Sequence, residues 1–108
     1  MSHALHDTIG LALARRIADG LKVHPEWIAL ATANLDRWSE RKREAPALLA
    51  CYAEWRSILD LPVEQISAAL LDSTDRGQRL RQNSPFAGAL APAEVWRIKR
   101  QAHATTAA

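Results

Sequence analysis

Apolar side chains recur at intervals of three and four residues through most of this sequence, the spacing that places them on one face of an α-helix. The first such stripe predicts a helix over residues 5–19, with Gly20 available for a left-handed C-terminal cap. A second stripe predicts a helix that begins at Pro25 and runs to about residue 43. We expect Val23 and Ile28 to close its first turn as a hydrophobic staple.

Prolines divide the middle of the chain into further helices. Pro46 and Pro62 each open a new apolar stripe, so we predict a third helix from Pro46 and a short fourth helix from Pro62. Residues 72–75 are good capping and turn formers. They either end the fourth helix or cap a further polar helix over residues 75–82.

Residues 83–89 have the composition of a loop. Pro85 restricts the residue before it to an extended conformation, and Gly88 is conformationally permissive. Pro92 then opens a last helix. The tail of alanines and threonines from Ala102 onward is expected to fray.

The composition favours an all-α fold. Ala contributes 21 residues and Leu 14, whereas Val, Ile and Thr together contribute 14, so helix formers outnumber the residues that favour strands. A chain of 108 residues has the size of one domain. We therefore predict a compact bundle of four to five short helices. Residues 1–72 form its core, residues 73–102 form a basic helix-loop-helix segment packed on the same domain, and residues 103–108 form a frayed tail.

The charges are distributed unevenly along the chain. Residues 1–75 carry 8 basic and 11 acidic side chains, whereas residues 76–108 carry 6 basic and 1 acidic. This asymmetry predicts that the C-terminal third meets something anionic, either a nucleic acid, a phosphate-bearing ligand or an acidic protein surface. The alternative is that these cations are solvated or dock on the acidic N-terminal part of the same fold.

No spacing typical of a catalytic or metal centre is present. His3 and His6 would supply two ligands at most, which is too few for a closed metal site. Cys51 lies in an apolar stripe, where a thiol is usually an inert packing group and not the partner of His24 or His103. The four glycines are scattered and form no phosphate-binding loop. We therefore expect no enzyme activity, no metal and no cofactor.

Cellular location follows from what the sequence lacks. A single cysteine, no signal-peptide pattern at the start and no long apolar run predict a cytoplasmic protein without a membrane span. Self-association through an exposed tryptophan is left open.

The segment 76–88 has the most unusual composition, because it combines arginines, amides and the only phenylalanine. Arginine forks and amides suit contacts with phosphates, bases or carboxylates. The alternative is a polar surface helix with Phe86 tucked into the core to pin the loop. Trp96 lies among cations, where an aromatic ring often docks on a partner, whereas the other three tryptophans follow core stripes. The predicted partner-binding residues are Arg76, Arg79, Arg81, Gln82, Asn83, Phe86, Trp96, Arg97 and Arg100.

The motif Leu80-Arg-Gln-Asn-Ser-Pro-Phe-Ala-Gly88 resembles a segment of small uncharacterised bacterial helical proteins that are encoded beside toxin genes. The resemblance covers residues 54–100 and rests on this one motif, so no functional residue is carried over. It implies an antitoxin-like protein that masks the active site of an enzyme partner.

Two functions from different classes remain at this point. The first is a non-enzymatic regulatory module that presents residues 76–100 to a partner protein with an acidic or nucleotide-binding surface. The second is a DNA-binding regulator, with DNA or RNA as the ligand and a helix-turn-helix-like unit over residues 63–83. In that unit Leu80 would supply the buried apolar residue of the recognition helix, but Gly77 falls later than the glycine usual in the turn.

Overall fold

The computed structural model describes the backbone of residues 2–107 and the side chains of residues 7–105, and over this part of the chain every regular element is an α-helix. The all-α prediction is confirmed. The number of helices is six and not four to five, because the polar segment after residue 74 forms a helix of its own. The helices are α1 (Ser2–Leu21), α2 (Glu26–Arg41), α3 (Pro46–Leu59), α4 (Val63–Leu70), α5 (Asp75–Gln82) and α6 (Pro92–Ala107).

Proline marks the start of four of these helices, as predicted. Pro46 and Pro92 are the first residues of α3 and α6, while Pro25 and Pro62 immediately precede α2 and α4. The fixed φ of proline suits a helix start, and its missing N–H is one that has no partner within the helix in any case. The connections before α2, α3, α4 and α5 are therefore only three or four residues long.

Gly20 has a different role from the predicted cap. It lies inside α1, and Gly88 is the only glycine with a positive φ in the described range, at 90°. A Cβ atom on Gly20 would lie 2.3 Å from Cζ3 of Trp27. The glycine is needed because this ring packs directly on the helix backbone. The predicted staple is also wrong, since Val23 is 73% exposed.

Trp55 of α3 lies at the centre of the core. It is fully buried, its Nε1 donates a 3.0 Å hydrogen bond to the carbonyl oxygen of Leu80, and its ring meets Phe86 edge to face at 6.1 Å. A buried indole needs an acceptor for its N–H, and the end of α5 supplies it. Trp55 thereby joins α3 to α5 and to the loop after it.

Helix α6 packs along α1, so the basic C-terminal third belongs to the same folded body as the rest. The frayed tail predicted from Ala102 is wrong for residues 102–107, because α6 continues to Ala107. Ala102 is 6% exposed, and Thr105 Oγ1 donates to the carbonyl oxygen of Gln101 at 2.9 Å. Burial against the bundle and the high helix propensity of alanine both favour the extra turns.

Candidate partner-binding surface

The two outer arginines of α5 share one carboxylate. Arg76 Nε lies 2.8 Å from Glu54 Oε2, and Arg79 Nη1 lies 2.9 Å from Glu54 Oε1. Hydrogen bonds from Arg79, then from Arg76, hold the pKa of Glu54 below its ordinary value. Both guanidinium groups are about half exposed, so one positive charge remains on this face after pairing.

Arg81 is a structural residue. Its side chain is 4% exposed. Nη1 donates to the carbonyl oxygens of Leu70 at 3.1 Å and Asp72 at 2.6 Å, and Nη2 pairs with Asp7 Oδ1 at 3.1 Å. The carbonyl oxygens after α4 are among those that a helix end leaves without partners, and a cation is the natural donor there. The expectation that Arg81 faces a partner is therefore corrected, because the group ties α5 to α1 and to the end of α4.

The two amide residues that follow Arg81 differ in their exposure to solvent. Gln82 is exposed, whereas Asn83 is half-buried and donates from Nδ2 to the carbonyl oxygen of Arg79 at 3.3 Å. Gln82 therefore remains accessible on the surface of the described structure. Asn83 instead donates to a carbonyl group in the last turn of α5.

Phe86 is buried and does not face a partner, which corrects the first interpretation of this residue. It is 4% exposed and pins the loop to the core, as the alternative interpretation had it. Asn34 holds the same loop from α2, since its Nδ2 donates to the carbonyl oxygens of Pro85 and Ala87. Asn34 is not among the residues predicted from the sequence. The available signal was a polar side chain next to Leu35 in a stripe that is otherwise apolar.

The outer face of α6 presents an exposed aromatic ring among cations. Trp96 is 61% exposed, and Lys99 Nζ lies 5.6 Å from the centre of its ring. Arg97 pairs with Glu94 at 3.2 Å, and its side chain is 67% exposed. Glu94 is shared, because it also accepts a 2.7 Å hydrogen bond from α1. Lys99 and the exposed Arg100 have no carboxylate partner within the described residues. Here the structure brings together Trp96, Arg97 and Arg100 of the predicted set.

The histidines and the cysteine were considered as metal ligands or nucleophiles, and the described residues place them as follows. They contain no cluster of three or more side chains that could hold a metal ion, and the side chains of His3 and His6 lie outside the described range. His24 stacks on Trp27 at 4.6 Å and lies 3.0 Å from Glu26. Cys51 is 5% exposed, and its burial raises the pKa of the thiol.

None of the described helices is both long enough and apolar enough to cross a membrane. Comparison of the chain with protein-family models, curated proteins and solved structures gives no match.

Proposed function

We propose that this protein is a non-enzymatic regulatory, antitoxin-like module that binds a partner protein through the outer face of α6. The observation that carries the proposal is the exposure of Trp96 beside Lys99, Arg97 and Arg100. Tryptophan and arginine are enriched among the residues that dominate binding energy at protein interfaces. An indole left 61% in water is unfavourable for the free protein, so a partner that covers it gains hydrophobic free energy.

Ion pairs within the protein favour α6 over α5 as the helix that binds the partner. The arginines of α5 already contact Glu54 or Asp7, whereas Lys99 and Arg100 have no such partner within the described residues. Solvent-exposed cations contribute more to association rate and to orientation than to affinity. We infer a partner with an acidic or nucleotide-binding surface, which includes the active site of an enzyme that the module would mask.

Site-specific cross-linking tests this proposal. A photo-reactive benzoylphenylalanine replaces Trp96 in one variant and Val23, which is also exposed and apolar, in a matched control. Expressed in the source cell and irradiated, the variant at position 96 should give a discrete protein adduct that the variant at position 23 does not give. Adding Arg97→Glu and Arg100→Glu should abolish the adduct, while Lys42→Glu at the far end of α2 should preserve it. The same adducts from both positions would overturn the proposal.

DNA binding is the second candidate, and the turn between α4 and α5 favours it. Two helices of eight residues flank a turn of four residues, Leu80 of the second helix is fully buried, and Gly77 allows that helix to approach the turn closely. This arrangement resembles a helix-turn-helix in spacing.

Substitution of Glu54 distinguishes the two candidate functions, because it should change DNA binding and leave protein binding unchanged. Glu54→Gln removes the carboxylate from Arg76 and Arg79 and should strengthen binding to a DNA duplex, whose affinity should fall steeply as salt increases. The same variant should leave cross-linking from position 96 unchanged. Salt-independent binding, or no binding to duplexes by either protein, would discard the DNA candidate.

A further inference from the structure

A largely apolar cavity of about 350 Å³ lies between α1, α6, the end of α4 and the loop after α5. This volume falls in the range of small-molecule sites in proteins. Its apolar lining comes from all of these elements and includes Leu13, Ile17, Leu70, Phe86, Leu90 and Val95.

Two cationic side chains also line this cavity. Lys99 stands one turn after Val95 on α6, lines the cavity and is half-buried, and its Nζ lies 5.6 Å from the centre of the exposed ring of Trp96. Arg81 belongs to the inner wall, and its Nε is the only buried side-chain nitrogen or oxygen without a hydrogen-bond partner in the described part of the chain. The carboxylate of Asp7 meets Arg81, but no described carboxylate pairs with Lys99.

Gly10 keeps one side of the cavity open. It lies in the interior of α1, where glycine is less favourable than alanine. A Cβ atom at this position would meet only Cβ of Arg81, at the ordinary contact distance of 3.9 Å. No close approach of another backbone therefore requires a glycine, and a larger side chain would enter the cavity that Gly10 lines.

We infer that this cavity binds a small amphipathic anion of the alkyl carboxylate class. The aliphatic body lies among the apolar residues, and the carboxylate meets Lys99 at the opening. Charge complementarity decides against a cationic head, because both ionisable side chains of the lining are cationic. The site adjoins the proposed protein-binding face and shares Lys99 with it, but the indole of Trp96 is outside the lining.

Binding of ten-carbon probes tests both parts of the inference. Calorimetry below the micelle concentration should give saturable binding of decanoate with one site per chain. Binding of 1-decanol should be about tenfold weaker, as expected when one charge-assisted contact is lost. Decyltrimethylammonium should not bind. Equal affinities for decanoate and decyltrimethylammonium, or no binding of decanoate, would overturn the inference.

Four variants connect the binding to the cavity and separate it from the proposed protein-binding face. Gly10→Leu should weaken decanoate binding at least tenfold, while Gly10→Ala, which leaves most of the space open, should bind as the unmodified protein does. Lys99→Met should bind decanoate and 1-decanol equally, because it keeps the apolar stem and removes the charge. Trp96→Ala should bind decanoate normally even if it loses the protein partner, so the failure of one proposal is distinguishable from the failure of the other.

The folding control uses circular dichroism, which should give the same helix content for all four variants. If Gly10→Leu lost its helix content, Lys99→Met and the shifts of the methyl resonances of Leu13, Ile17 and Val95 on decanoate addition would decide the location. Unshifted methyl resonances, or full binding by a folded Gly10→Leu, would show that decanoate binds elsewhere.

Discussion

Asn34 Nδ2 donates a 2.8 Å hydrogen bond to the carbonyl oxygen of Pro85, 51 positions later in the chain, and a second one of 2.9 Å to Ala87. Asn34 is 4% exposed, and Arg37 contacts its Oδ1 from the next turn of α2. This one side chain therefore satisfies two carbonyl groups of the loop that carries Phe86.

Removal of the Asn34 donor should destabilise the protein. Asn34→Asp keeps the shape of the side chain but sets a carboxylate against two carbonyl oxygens, so we expect a loss of about 2–4 kcal/mol in the free energy of unfolding. Urea denaturation followed by circular dichroism measures this loss. The control is the exposed Arg37→Ala, which should lose less stability than Asn34→Asp, because both carbonyl groups of the loop keep their donor. Equal midpoints for Asn34→Asp and the unmodified protein would show that the hydrogen bonds from Asn34 to the loop do not stabilise the fold.

Alanine should have opposite effects at two glycines. At Gly77 a Cβ atom would lie 1.9 Å from the carbonyl oxygen of Asp72, which belongs to the backbone and cannot rotate away, so Gly77→Ala should lose more than about 2 kcal/mol. At Gly10 the new methyl group fits, and Gly10→Ala should gain up to about 1 kcal/mol from helix propensity. Thermal unfolding of both variants checks the signs. If Gly77→Ala were more stable than the unmodified protein, α5 would be able to move away from Asp72 without loss of stability.

The arginines of α5 should differ sharply in their contribution to stability. Arg81→Met leaves the carbonyl oxygens of Leu70 and Asp72 and the partly exposed carboxylate of Asp7 without their donor, so it should lose about 2–3 kcal/mol. Arg76→Ala and Arg79→Ala break half-exposed pairs that water screens, so each should cost far less stability than Arg81→Met. Unfolding midpoints in guanidinium chloride measure the three values. Similar losses for all three would contradict the burial of Arg81.

Acid should weaken the contact between Glu54 and its two arginines. The pKa of Glu54 is lowered in the folded state, so the stabilisation is present above the ordinary pKa of a glutamate and is lost as the pH falls through the folded value. Glu54→Gln should therefore reduce stability at pH 7 by about 1 kcal/mol and should flatten the decline below pH ~4. The double variant Arg76→Gln, Arg79→Gln should flatten the same part of the curve. If stability declined at low pH in Glu54→Gln as it does in the unmodified protein, the contact of Glu54 with the two arginines would not be the cause of the decline.

Cys51 should react slowly with thiol reagents while the protein is folded. The residue is 5% exposed, and its burial raises the pKa of the thiol, so little reactive thiolate forms near neutral pH. We expect labelling by a disulfide reagent at pH 8 to be at least about tenfold slower than in urea, and to be absent in Cys51→Ser. Labelling at the same rate with and without urea would show that the native structure exposes the thiol.

Features that depend on neighbouring residues were predictable from the sequence. Four helix starts, at Pro46 and Pro92 and directly after Pro25 and Pro62, follow from proline geometry. Residues 72–75 indicated the start of α5, although their pattern left the end of α4 as the alternative. The exposure of Trp96 is also a local matter, since Lys99 and Arg100 follow it at three and four residues on the same face of the helix.

Features that depend on distant residues were not predictable in this way. Arg81 looked like a surface cation because the pattern gives no sign that Asp7, 74 positions away, and the carbonyl oxygens after α4 surround it. Gly20 was read as a helix end, whereas its role is set by the ring of Trp27 in another helix. Close packing between elements decides such positions, and spacing along the chain does not contain it.

The pairing of α1 with α6 has a consequence for biosynthesis. The apolar side of α1 leaves the ribosome early, but the helix that covers it is translated more than seventy residues later. Until then the nascent chain carries an uncovered surface, which other proteins or chaperones can bind. The fold is therefore complete only after the sixth helix has emerged and docked on the first.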